Sequence, residues 1–175
     1  MINVKGNKVI GGITSDIFTC KLDDEEMNNK LIEQIDLQGD RQNHKTNVKA
    51  TMTEWNMMSK PGFDVFSNKL LEIVNEVTKT KYKLSLDHKI TSIWGLKYKS
   101  EQETTEHSHW PAMWSTTYYI NPPSNASSLY FPEFDYYIKP ENGLLVIFEG
   151  WIKHSVPKQS FDGDRYVVSA NIDHK

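Results

Sequence analysis

After residue 82 the chain breaks into six short stretches rich in β-branched and aromatic residues. They are KITSIWGLKY (89–98), WSTTYYI (114–120), SLYF (128–131), YYIKP (136–140), GLLVIFEG (143–150) and RYVVSANI (165–172). Pro, Gly and Asn turns separate them, and no helical apolar period lies between them. Short strands in such succession argue for an all-β sandwich or barrel.

The first half reads differently. Gly11, Gly12, Ile13, Ile17 and Phe18 mark a strand or extended arm. Asp23-Asp24-Glu25-Glu26 then precedes Met27, Leu31, Ile32 and Ile35. Acids in a first turn followed by apolar i, i+4, i+8 spacing predict a helix, ending near Gly39. Residues 40–60 are polar and irregular, with Trp55 as an anchor. Phe63, Phe66, Leu70, Leu71, Val74 and Val77 form the strongest amphipathic pattern in the chain, opened sharply by Pro61-Gly62. The expected architecture is one domain over 1–175, mainly β with N-terminal helices. A helical layer spans 1–88 and a β-barrel core spans 89–175.

Composition removes several function classes. Twenty Lys and Arg against 23 Asp and Glu give a net charge of −3. With a pI near 6.1 there is no strong nucleic-acid signal. The single cysteine, Cys20, cannot form an intramolecular disulfide and fits a reducing compartment. No apolar run has the length of a signal peptide or a membrane span, so a cytoplasmic location is expected. No feature specifies an oligomeric state.

His107-Ser108-His109 lies just before the strand at 114. Residues two apart in an extended chain project to one side, so both imidazoles can reach one ion. His154 follows a later strand. Two ligands at one strand end and a third from another strand would build a facial metal site with open positions; the other reading is an exposed polar loop. Arg165 opens the last strand, eleven residues after His154, and shares a face with Val167, Ser169 and Asn171. An Arg on an inward face is costly without an anion, and its fork suits a carboxylate. Otherwise it is an edge Arg pairing with Asp162 or Asp164.

Together these stretches resemble the 2-oxoglutarate/Fe(II)-dependent oxygenase superfamily, in particular an H-x-H branch common in phages and marine bacteria. The matching segments are HSHWPAMWSTTYYI (107–120), GLLVIFEGWIKHSVP (143–157) and RYVVSAN (165–171). The likeness is close over about 90–172 and loose before it. It implies a double-stranded β-helix, the jelly-roll, cupin-like barrel. It also implies Fe(II), 2-oxoglutarate as co-substrate and O2, used by a hydroxylase that couples oxidative decarboxylation of 2-oxoglutarate to C–H oxidation.

By that resemblance His107 and His154 are metal ligands. His109 stands where the superfamily usually has Asp or Glu. It either ligates, giving a three-histidine centre about one unit less negative, or leaves the position vacant, as in related halogenases. Glu106, adjacent to His107, would point the other way on a strand. Arg165 would hold the distal carboxylate of 2-oxoglutarate, with Ser169 assisting if the strand bends. Tyr119 could add a hydroxyl, and Tyr98 stands where related prolyl hydroxylases carry a Tyr; core or rim packing is the other reading of both. Trp94, Trp110, Trp114 and Trp151 are read as walls and core, with Trp110 at a substrate entrance. His44, His88 and His174 are read as surface or loop residues and Cys20 as structural. The substrate is expected to be a small molecule or a peptidyl side chain, which the prolyl hydroxylase likeness favours. The rivals are a three-histidine cupin-type enzyme without 2-oxoglutarate and a non-catalytic jelly-roll binding module.

Overall fold

In the computed structural model, which describes residues 1–38 and 45–175, the β-branched stretches are strands and the two apolar-periodic stretches are helices. The opening segment is a hairpin. Strand β1 (Asn3–Ile10) turns into β2 (Ile13–Lys21) through Gly11 and Gly12, whose φ values of 57° and 83° favour glycine. Helix α1 (Glu25–Asp36) starts where the Asp24 carboxylate accepts the Met27 N–H at 2.9 Å, with Glu25 and Glu26 in its first turn. The helix expected to end near Gly39 ends at Asp36 with Leu37 as its C-cap, and Gly39 and His44 lie outside the described residues. Strand β3 (Thr51–Met52) precedes α2 (Phe63–Tyr82). Gly62 opens α2 at φ 81°, and a Cβ there would stand 2.9 Å from the Leu31 nitrogen of α1.

The remaining strands are β4 (His88–Tyr98), β5 (Thr104–His107), β6 (Trp114–Ile120), β7 (Leu129–Phe131), β8 (Tyr136–Ile138), β9 (Leu144–Glu149), β10 (His154–Val156) and β11 (Arg165–His174). They form a seven-stranded antiparallel sheet, ordered β1-β2-β9-β6-β11-β4-β3, and a four-stranded one, ordered β5-β10-β7-β8. The front half is therefore not a helical layer alone. Strand β2 pairs with β9 from Ile17↔Phe148 to Lys21↔Leu144, and β3 pairs with β4.

Alternation along the long strands sorts side chains into two cores. On one face of the large sheet, Trp114, Tyr118, Leu145, Ile147, Val168 and Ala170 pack under Leu31, Ile35, Phe63, Phe66 and Leu70 of the helices. On the other face, Trp94, Leu96, Tyr119, Val146, Phe148 and Val167 meet Leu129, Phe131 and Val156 of the small sheet. Phe131 and Phe148 close that second core edge to face, with ring centres 5.0 Å apart. His88 corrects the surface reading. It is buried, its imidazole lying 2.7 Å from the Asn75 side chain and 3.2 Å from the Thr78 hydroxyl. His174 is exposed, and Cys20 is buried in the helix-side core. Among the described residues, no helix is long and apolar enough to cross a membrane.

Candidate metal centre

The three histidines are brought together by strand pairing. His107 ends β5, His154 begins β10, and the two are direct cross-strand partners. Their ring centres lie 4.4 Å apart. His109 sits just beyond β5, in a turn clamped to the end of β9. Its N–H donates to the Gly150 carbonyl at 2.6 Å, and the Gly150 N–H donates to Met113 at 3.1 Å. The His109 ring lies 4.9 Å from that of His107 and 5.1 Å from that of His154. One nitrogen of each ring falls within 4.8 Å of the others. Three nitrogens on one face of an ion at ~2.1 Å stand ~3 Å apart, so the rings close by at most ~1.8 Å around a metal.

Tautomer and charge favour a cation. The His107 Nδ1–H donates to the Thr105 carbonyl at 2.8 Å, and the His154 Nδ1–H donates to the Ile152 carbonyl at 3.2 Å. A carbonyl only accepts, so in each neutral ring Nε2 keeps its lone pair. Burial lowers the pKa of all three imidazoles. His109 is pushed down to about 3, with the neighbouring His107 adding to the effect. His154 is held well below the ordinary range by burial, then by His107 and His109. For His107, burial outweighs the Thr105 carbonyl. The rings are therefore neutral donors at pH 7. Glu106 stays outside the set: its exposed carboxylate pairs with Lys153 at 3.4 Å.

Behind the triad a narrow hollow enters the core between the sheets. Its walls include Tyr98, Thr104, Thr117, Val167 and Ser169, with Arg165 among them. Arg165 is only 1% exposed. It makes no ion pair with Asp162 or Asp164 among the described residues, which removes the edge-strand reading. Its guanidinium carbon lies 4.7 Å from the Tyr98 ring centre and 5.2 Å from that of Tyr119. Its Nε and Nη1 are buried without a hydrogen-bond partner, as is the Tyr119 hydroxyl. The Tyr98 hydroxyl shares a 2.5 Å hydrogen bond with Thr104. Burial raises both phenols against the pull of Arg165, Tyr119 to about 12. They are neutral hydroxyls, not counter-ions. A buried cation with spare donors and no anion beside it matches a dicarboxylate entering from the histidine side.

Ser169 lines the same hollow, four residues and ~13 Å of strand beyond Arg165, so the two cannot share one carboxylate. Trp94 is a wall as expected, its ring 5.9 Å from His109. Trp114 is core as expected, on the helix side, donating its indole N–H to Thr78 at 3.0 Å. Thr104 and Thr117 escaped the sequence reading. Thr117 carried a signal in the alternation of β6, whose Ser115, Thr117 and Tyr119 share the face turned to the hollow.

Neither a family model nor a curated protein matches the chain. Solved structures do. A viral collagen prolyl hydroxylase from Paramecium bursaria Chlorella virus-1, in complex with 2-oxoglutarate, superposes with a TM-score of 0.66 at 16% identity, covering 88% of this chain and 94% of that one. A Pseudomonas putida prolyl-4-hydroxylase gives 0.69 at 13% identity, over 91% and 92%. HygX from Streptomyces hygroscopicus, with nickel and 2-oxoglutarate bound, gives 0.66 at 9% identity, over 89% and 82%. The fold is thus the one used by 2-oxoglutarate/Fe(II) oxygenases. At these identities the likeness is one of fold, and the chemistry must be argued from the residues.

Proposed function

We propose that this chain is a 2-oxoglutarate- and Fe(II)-dependent oxygenase, a hydroxylase built as one domain on a double-stranded β-helix and working in the cytoplasm. His107, His109 and His154 hold the iron, Arg165 anchors the distal carboxylate of 2-oxoglutarate, Tyr98 and Ser169 line the co-substrate's hollow, and Tyr119 packs beside the Arg165 guanidinium. The observation that carries the reading is the buried guanidinium of Arg165, short of acceptors, in a hollow whose walls include three neutral histidines. A cupin-type three-histidine enzyme would give that Arg no partner.

The bound iron and 2-oxoglutarate supply the oxidising chemistry: substrate R–H, O2 and 2-oxoglutarate become R–OH, succinate and CO2. The chain's own residues bind and orient. Three imidazoles on β5, its following turn and β10 fix one side of the metal and leave the others open. Arg165 neutralises the far carboxylate, and the neutral Tyr119 hydroxyl is free to hydrogen-bond it. Apolar walls of Leu96, Val156 and Val167 exclude water.

The test is iron-dependent, uncoupled formation of succinate from 2-oxoglutarate by the parent chain, together with co-substrate affinity in Arg165→Ala. The variant should bind 2-oxoglutarate at least ~100-fold more weakly, ~2.7 kcal/mol, with Arg165→Lys between it and the parent because Lys keeps the charge and loses the fork. Parent-like affinity in Arg165→Ala, or no succinate from the parent, overturns the reading.

A further inference from the structure

The row of rings that begins at the triad does not end there. His109 touches Trp94, centre to centre 5.9 Å, and Trp94 touches Trp55 at 4.7 Å. Aromatic pairs in contact have centres ~4.5–7 Å apart, so both steps are contacts. Trp94 is 3% exposed and Trp55 50%. An outer hollow, ≈ 270 Å³, opens on this side of the triad, with Trp55, Trp94, His109 and Asn171 among its walls. Backbone bonds seat the outer indole on β4. The Ile93 N–H donates to the Trp55 carbonyl at 2.9 Å, and the Met57 N–H donates to the Ile93 carbonyl at 3.0 Å. Three rings in contact thus lead from the metal site to the surface.

Such a row can carry an electron, and the other rings near the centre cannot do so as well. Phe131 and Phe148 touch His154 at 6.1 and 4.7 Å, and a phenyl ring yields an electron far less readily than an indole. Tyr98 and Tyr119 flank Arg165, whose fixed charge opposes a second positive charge beside it. A phenol also gives up its electron together with its proton. The Tyr119 hydroxyl has no acceptor, and that of Tyr98 faces the Thr104 hydroxyl. Trp94 differs. Its Nε1–H is buried without an acceptor, so an indole that loses an electron there keeps its proton and can take the electron back unchanged. The positive charge left on a buried ring is costly, and it is relieved at Trp55, half in water. The charge therefore moves outwards along the row.

We infer that Trp94 and Trp55 form an electron relay that discharges the centre when it reacts without a substrate. The inference rests on the oxygenase reading above and adds a protective function to it. In a turnover without substrate, 2-oxoglutarate and O2 give succinate, CO2 and one oxygen atom with no C–H bond to enter. Two electrons and two protons reduce that atom to water. Each electron passes from Trp94 to the centre, from Trp55 to Trp94, and from a one-electron donor in solution to Trp55. The protons come from water on the open side of the site. Where the relay is broken, the oxygen atom is left to the side chains around the triad.

The experiment uses the full chain with Fe(II), 2-oxoglutarate and O2, without substrate. Freeze-quenched samples are read by electron paramagnetic resonance, on protein grown with indole-deuterated tryptophan so that a tryptophan radical is told from a tyrosine one. The parent should show a tryptophan radical, and Trp94→Phe should lack it. The donor is tetramethyl-p-phenylenediamine, whose one-electron oxidation is coloured. The parent should oxidise about two molecules of it per succinate. Trp94→Phe and Trp55→Phe should each oxidise at least fivefold less per succinate. Peptide mapping by mass spectrometry should show at least fivefold more oxygen gained on the segments carrying the triad in both variants. Trp110→Phe, which interrupts no contact in the row, should match the parent. Trp55 is half exposed, so its variant keeps the test alive if Trp94→Phe fails to fold. Succinate formed with no tryptophan radical, or donor oxidation and damage unchanged in Trp55→Phe, overturns this inference alone. Absence of succinate in the parent overturns the oxygenase reading and the relay with it.

Discussion

Each imidazole of the triad costs the fold something. A histidine that stays neutral when buried takes up fewer protons below its ordinary pKa than the unfolded chain does, so stability falls as pH falls. His107, His109, His154 and His88 are all shifted down, burial being the largest cause in each. The metal-free chain should therefore lose stability steeply below about pH 6.5, where unfolded histidines protonate. Urea titrations at pH 7.5, 6.5 and 5.5 measure this; a flat profile would contradict it. Removing one ligand tests the set directly. His154→Ala should abolish Fe(II) binding in anaerobic calorimetry while near-ultraviolet dichroism stays native. His109→Ala should weaken binding at least tenfold, and His109→Asp should restore it by supplying a carboxylate at the same place. The triad's members were legible in the sequence because two-residue spacing on an extended chain carries a geometric meaning. The state of their Nδ1 atoms was not, since Thr105 and Ile152 enter through backbone carbonyls, which no side-chain pattern reports.

Among the elements, glycines set two close approaches. A Cβ on Gly150 would stand 2.0 Å from the Ala112 carbonyl oxygen, so the turn carrying His109 rests on a residue with no side chain. Gly150→Ala should push that turn away and weaken Fe(II) binding at least tenfold, although residue 150 touches no metal. A Cβ on Gly95 of β4 would meet Ile35 Cγ1 of α1 at 2.3 Å. Gly95→Ala should cost ~1–3 kcal/mol in denaturant unfolding, and adding Ile35→Val should return part of it. Losses that simply add would show the two positions do not touch. Long strands and both helices were readable because six or more residues establish a period. Strands β3, β5 and β10 have two, four and three residues and lack the aromatic residues that marked the equally short β7 and β8. Two of these three carry histidines of the triad, so the part of the sheet that brings the imidazoles together was the part least visible in the sequence.

Across the whole molecule, one ionic knot joins elements far apart in sequence. Lys81 at the end of α2 pairs with Asp16 of β2 and, at 2.9 Å, with Glu149 of β9, all three nearly buried. One cation faces two carboxylates, and burial raises the Glu149 pKa against the pull of Lys81. Lys81→Met would leave both acids buried and unpaired, so a loss of ~3–5 kcal/mol is expected in urea unfolding. A loss under ~1 kcal/mol would show that the cluster is solvated. Nothing in the sequence announces this contact, because charge patterning speaks only within one element and Asp16 and Glu149 come from different strands. The same limit hid the hairpin's membership of the large sheet, which depends on β2 finding β9 more than a hundred residues later. Strand β11 has the opposite character, for its readable alternation makes it a depth gauge. Position 165 marks the floor, 169 the middle and 171 the doorway, on a ribbon that cannot stretch. Exchanging the doorway residue reshapes the outer hollow and leaves the surroundings of Arg165, six residues below, undisturbed. Inserting a single residue would turn every graduation to the wrong side at once. Point changes at 171 thus leave the Arg165 end of the ribbon in register.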